Sequence, residues 1–155
     1  MTAPLHHRSW NAIIITLASI AVLHAADRGT AVEARTMLLE AIEHYQSVGR
    51  KQALADFTAR RPPFADRDLY VFCLGPQHTV VATGGFPNVI GAQEDSLIDV
   101  DGTGVGTTAR KLTSKGIAPV RYRWVNPVTH NIEHKITYFA KVGEDVCGVG
   151  AYTGR

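Results

Sequence analysis

Cysteine is scarce in this chain. Its 155 residues hold two, Cys73 and Cys147, 74 positions apart. With no Cys-x-x-Cys and no metal-ligand spacing, a thiolate metal centre or a dithiol redox motif is excluded. What remains is one distant pair. It can be a disulfide in an oxidising compartment, or two small apolar side chains in a core. Excess charge is lacking as well. The formal net charge is +2 and the cations are scattered, with Arg60-Arg61 and Arg110-Lys111 the densest pairs. A nucleic-acid binder would carry a strong basic excess or a basic stripe, so nucleic acid is not the expected partner. Disorder is excluded by the opposite token: 45% hydrophobic residues against 19% charged is the balance of a globular chain. The length is enough for one domain with its own core.

Long apolar runs are missing, with one exception. "NAIIITLASIAVL", Asn11 to Leu23, carries no charge and follows His7 and Arg8. A short apolar run behind a basic start is the pattern of a secretory signal, and it falls short of the roughly 20 residues of a comfortable transmembrane helix. Residues 1–26 are therefore expected to be a signal peptide, with an uncleaved membrane anchor through residues 11–23 and a buried N-terminal helix as the alternatives. Residues 27–155 are expected to form a single domain, in the periplasm or secreted.

Beyond Asp27 the periodicities are clear. Ala34, Leu38, Ala41, Ile42, Tyr45 and Val48 recur at three- and four-residue steps, which predicts a long amphipathic helix over 30–48 closed by Gly49. Helical spacing resumes in "RKQALADFTAR" and stops at Pro62-Pro63. "DLYVFCL" and "TVVATGG" predict two strands of a hairpin around "GPQH". Six glycines between residues 84 and 106 predict a long irregular crossover, and "TTARKLTSKG" a short helix. Three strands follow, over 118–125, 133–142 and 145–152, with loops short enough for an antiparallel meander. The order gives an α+β fold with one antiparallel-type sheet.

Few motifs carry chemistry. His130, Glu133 and His134 match His-x-x-Glu-His, but zinc chemistry needs both histidines on one helical face, and here a strand pattern begins at Glu133. A solvated hairpin loop is expected instead. "DVDGTGVG" supplies Asp99, Asp101 and Thr103 at calcium-loop spacing, yet the twelfth position is Arg110 where a bidentate carboxylate is required, so a turn is expected. None of the five serines sits in a nucleophile elbow, and no nucleophile is paired with a base. An enzyme, metal-dependent or otherwise, is the weaker alternative, and no cofactor is expected. The cations in "RYRWVNPVTHNIEHKITYFAKV" raise the remaining question. Strict alternation places Val120, Tyr122 and Trp124 on one face of the first strand, with Lys135, Thr137, Phe139 and Lys141 sharing a face of the next. The plain reading keeps Tyr122, Trp124, Ile136 and Tyr138 in the core and the cations outside.

The run of "HYQSVGRKQALADF", "DLYVFCLGPQHTVVATGG", "YRWVNPVTHNIEHKITYFAKV" and "CGVGAY" resembles the single Cache domain of the second type, over roughly Val32 to Tyr152. Its sharpest marks are Tyr122-x-Trp124-x-Asn126-Pro127 and Lys135-x-x-Tyr138. The resemblance implies a PAS-like five-stranded sheet behind a long N-terminal helix, with the strands in the spatial order 2-1-5-4-3. That order would bring Cys73 and Cys147 together for a disulfide. It further implies an extracytoplasmic sensing domain for a small anionic metabolite such as a short carboxylate, with Tyr122, Trp124, Lys135 and Tyr138 lining the pocket. Family members often carry a histidine just before the glycine that ends the second strand, and Thr83 stands there in this chain. Since only "TGR" follows Tyr152, signalling would pass through a separate membrane protein. A PAS-like protein-contact module without ligand is the other reading, and a closed dry interior or an exposed apolar stripe on the long helix would mark it. One conflict is physical: Lys135 and Tyr138 are three apart and can share a pocket only if a bulge intervenes or if Lys135 precedes the regular strand.

Overall fold

The computed structural model describes residues 27–154, so the expected signal or anchor over 1–26 lies outside the described residues. The first helix, α1 (Ala31–Val48), starts where the chemistry dictates. Thr30 accepts the Glu33 N–H through its hydroxyl, while the Glu33 carboxylate takes the Thr30 N–H at 2.7 Å, a reciprocal capping box of about 1 kcal/mol. Gly49, at φ 81°, ends α1 and admits α2 (Arg50–Thr58) at an angle no L side chain adopts readily. The strands are β1 (Ala65–Asp66), β2 (Leu69–Leu74), β3 (Val80–Thr83), β4 (Ala118–Val125), β5 (Ile132–Val142) and β6 (Asp145–Gly154). The third helix is α3 (Val105–Leu112), within the predicted crossover.

The sheet runs β1-β2-β6-β5-β4, with β3 paired to β2, and every pairing is antiparallel. Leaving aside the two-residue β1, which periodicity does not reveal, this is the expected order 2-1-5-4-3. Central β2 and β6 face each other with Cys73 opposite Cys147, their Cα atoms 4.1 Å apart and their sulfurs bonded. The disulfide therefore closes a 74-residue separation across the middle of the sheet.

Alternation splits the core into two layers. Val71, Cys73, Cys147, Val149 and Ala151 face α1 and α2, where they meet Ala34, Leu38, Ala41, Leu54 and Phe57. On the other face Leu74, Val120, Phe139 and Val146 meet Leu97, Val105 and Ala109 of the crossover. The sheet is thus covered on both sides, by helices and by the glycine-rich segment.

One expected turn forms as such, and one expectation is corrected here. The turn at Asp99 is structural: its carboxylate accepts the backbone N–H groups of Asp101, Thr103 and, from edge strand β4, Arg123, at 2.7–2.9 Å. Those contacts consume the oxygens that a cation would need. The "HNIEH" stretch is not wholly solvated either. His130 and His134 are exposed, but Glu133 is only 2% exposed because it faces inward at the head of β5.

Candidate functional site

The crossover does not close completely on the sheet. Between them lies a cavity of about 40 Å³, lined by Tyr70 and Phe72 of β2, Tyr122 and Trp124 of β4, Lys135, Thr137 and Phe139 of β5, and the crossover residues Phe86, Val89, Leu97 and Val105. Thr83 at the end of β3 adds a hydroxyl. The cavity exists because β6 contributes glycines where a strand would normally send side chains inward. A Cβ on Gly150 would sit 2.4 Å from Lys135 Cε and 2.1 Å from Thr137 Oγ1, and one on Gly148 would sit 2.4 Å from the Phe139 ring. The glycines are the floor across which Lys135 and Phe139 lie.

Tyr122 and Lys135 are direct cross-strand partners on β4 and β5, and Trp124 is opposite Glu133. Three of the four residues singled out by sequence thus converge. Tyr138 does not join them. Strand β5 keeps strict alternation from Lys135 to Phe139, so Tyr138 points to the helical layer and packs there with Ile136. A register shift does occur beside Lys135, but the extra residue, Thr153, is on β6: the pairs change from His134 with Gly154 to Lys135 with Tyr152. A bulge on the partner strand leaves Tyr138 on the far face.

Among the described residues Lys135 is the one charged residue lining the cavity, and it is 4% exposed. Its ammonium donates to Tyr70 Oη at 2.8 Å and to Tyr152 Oη at 3.2 Å, and it lies 4.2 and 4.4 Å from the centres of the two rings. Tyr152 spends its own proton on the Val125 carbonyl at 2.7 Å. Burial drives the Lys135 amine down to about 7, with the Asp68 carboxylate acting weakly in the other direction. Burial pushes the phenols of Tyr70, Tyr122 and Tyr152 above their ordinary range, so they remain hydrogen-bond donors. The Tyr122 hydroxyl shares a 2.8 Å hydrogen bond with Thr137 Oγ1. Thr83 Oγ1 accepts the N–H groups of Gly85 and Phe86 and retains a proton to donate.

Sequence reasoning missed Tyr70, Tyr152, Thr137 and the two floor glycines as parts of this site. A signal existed: Tyr70 and Phe72 alternate with Val71 and Cys73, while Gly148, Gly150 and Tyr152 alternate with Cys147, Val149 and Ala151. Two strands with opposite faces, one aliphatic and one aromatic or empty, are the imprint of a hollow. Chemically the described residues offer one cation, several hydroxyl donors and no carboxylate, with an apolar end formed by Phe72, Val89, Leu97, Val105 and Phe139. Among the described residues no cluster of three or more His, Cys, Asp or Glu is placed to hold a metal.

Solved structures share this architecture. A methyl-accepting chemotaxis protein from Vibrio parahaemolyticus RIMD 2210633 matches with a TM-score of 0.66 at 18% identity, over 78% of this chain and 86% of that one. The periplasmic sensor domain of a chemotaxis protein matches with a TM-score of 0.64 at 20% identity, over 79% and 94%. A Cache chemosensory domain described for carboxylic acid recognition matches with a TM-score of 0.58 at 22% identity, over 77% and 86%. No curated protein sequence matches. At these identities the likeness establishes the fold, and the family rests on sequence: the model of single Cache domain 2 matches residues 11–153, nearly the whole chain, and this protein belongs to that family of sensory domains.

Proposed function

We propose that the domain is an extracytoplasmic receptor for a short aliphatic monocarboxylate, which it binds without turnover between the sheet and the crossover. The observation that carries this is Lys135, a buried cation lining a cavity in which no described residue supplies a counter-charge. A carboxylate there would accept from Lys135 Nζ and Tyr70 Oη in charge-assisted hydrogen bonds. The Tyr122–Thr137 pair and Thr83 are the further donors, and the aliphatic tail would face Leu97, Val105 and Phe139. Size narrows the class. A cavity of about 40 Å³ is small, which favours acetate or propionate over a dicarboxylate. The Cache relative described for carboxylic acid recognition supports the same class. The periplasmic sensor among the related structures supports an extracytoplasmic location, with output through a membrane signalling protein.

A pure contact module is the weaker reading. Val32 and Leu39 are exposed seven residues apart on α1, but a module that only packs against partners has no need of a buried cation in an open cavity. The test is a thermal-shift series on the purified protein with C2 to C5 monocarboxylates, succinate, amino acids and amines. A ligand at a hundredfold excess over its Kd stabilises by about 2.7 kcal/mol. Acetate or propionate should give the largest shift, and Lys135→Met should abolish it. A larger response to amines or dicarboxylates would overturn the assignment.

A further inference from the structure

Lys135 poses a problem before any ligand arrives. A full charge enclosed in an apolar-lined cavity is costly unless it is paired. Its direct partners are two phenol oxygens, which carry no charge. The charged and titratable groups on every element around it are either committed elsewhere or uncharged. From the segment entering β2, Asp68 accepts the Gly29 N–H at 2.7 Å and the Asn126 side-chain amide at 3.0 Å, with Arg28 4.0 Å away. Arg60, which follows α2, acts on Tyr70 and donates to the Gly84 carbonyl. On β5 itself Glu133 is bound to Arg28, and His134 points to solvent. Asp99 of the crossover, which acts on Tyr122, is saturated by backbone N–H groups. Tyr70, Tyr122 and Tyr152 stay protonated, since burial raises all three. The Lys135 amine is therefore the group facing the cavity that can change its charge near neutrality.

The local hydrogen bonds suit both states of that amine. As an ammonium, Nζ donates to Tyr70 and Tyr152. As a neutral amine it keeps its donation to Tyr152, whose proton is already spent on the Val125 carbonyl, and its lone pair accepts the Tyr70 proton across the same 2.8 Å contact. The loss of a proton leaves no polar atom stranded.

We propose that the cavity takes up its carboxylate together with a proton: in the empty site Lys135 exchanges between ammonium and neutral amine, and the bound state is a Lys135 ammonium paired with the anion. The inference rests on the carboxylate reading above and adds its regulation. The proton comes from solvent, no covalent bond changes, and the cavity gains no net charge on binding, so the domain responds to anion and proton jointly. With an amine midpoint of about 7, anion affinity should fall roughly fiftyfold between pH 7 and pH 9, and change little between pH 6 and pH 5.

The test is calorimetric titration of the full chain with propionate at pH 6, 7 and 8.5, in buffers of differing ionisation enthalpy. Proton uptake should approach one per propionate at pH 8.5, about one half at pH 7 and near zero at pH 6. An affinity that is equal at pH 6 and 8.5, with no proton exchanged, would overturn the coupling and leave carboxylate binding intact. A second arm needs no ligand: the Lys135 Cε resonance, identified by its loss in Lys135→Met, should titrate near neutrality in the free protein and move above pH 9 with propionate. A free-protein midpoint near the ordinary lysine value of about 10.4 would overturn the neutral amine. A neutral midpoint that propionate leaves unmoved, with no heat of binding at any pH, would overturn both the coupling and the carboxylate reading.

Discussion

Glu133 and Lys135 stand two residues apart on the same face of β5, both buried, and their surroundings could hardly differ more. Glu133 is saturated. It pairs with the Arg28 guanidinium, accepts the Thr129 hydroxyl at 2.6 Å and the Asn126 amide at 3.1 Å, and is held at about 2, chiefly by Arg28. Asn126 in turn caps its own loop through Val128 and Thr129 N–H, so the Asn-Pro turn between β4 and β5 is locked to the residues entering α1. Lys135 has two phenols and a hollow. A buried charge with every partner supplied is architecture. A buried charge with a place left open beside it is what the proposed carboxylate site requires, and the contrast on a single strand separates the two surroundings.

Opposite responses to substitution would sharpen that contrast. The largest effect is expected at Glu133. Glu133→Gln removes the nearer of the two anions of Arg28, leaving Asp68 at 4.0 Å, and should cost about 3 kcal/mol in urea unfolding, with propionate affinity changed far less than stability. Gly150→Ala should come next. The new methyl group has to displace Lys135 or Thr137, so a loss of about 1–3 kcal/mol is expected together with loss of propionate binding. Lys135→Met should be the smallest in stability, within about 1 kcal/mol of wild type or above it, because it replaces a buried amine that has no counter-charge by an apolar chain of similar length. A Lys135→Met protein as unstable as Glu133→Gln would break the comparison.

The two groups should also respond to pH with opposite sign. Glu133 is held below its unfolded value, so its contribution is complete above about pH 4.5 and is lost as pH falls toward 2. Lys135 is lowered from about 10.5 to about 7 in the fold. Between those values the unfolded chain binds the extra proton, so the ligand-free protein should gain stability from this group as pH rises from 7 to 10.5. Unfolding of wild type and Lys135→Met, compared across pH 6 to 10, isolates that contribution. A difference that stays flat would mean that the folded amine titrates normally.

Much of this arrangement was legible in the residues. The helices, the five main strands and their order followed from periodicity and from the family resemblance, because a two-residue alternation and a capped amphipathic helix are local signals. Lys135, Tyr122 and Trp124 were legible because cross-strand register carries them to one place. Tyr138 was misplaced because the bulge that could have turned it inward is on β6 at Thr153, and a bulge leaves no trace in the strand opposite. Tyr70 and Tyr152 were overlooked although the expected order made β2 and β6 neighbours, because only the Cys73–Cys147 face of that pairing was read and the two tyrosines, 82 positions apart, lie on the other. Glu133 was expected in a solvated loop, since nothing local reveals that Arg28 returns to meet it from 105 residues away.

The most direct measurement is a crystal structure of the protein grown with propionate at pH 6.5. A carboxylate oxygen should lie about 2.8 Å from Lys135 Nζ, with the second in reach of Tyr70 Oη and the ethyl group against Leu97 and Phe139. Propionate bound elsewhere, or a cavity closed by collapse of the crossover onto Lys135, would contradict the claim that this lysine is the recognition group.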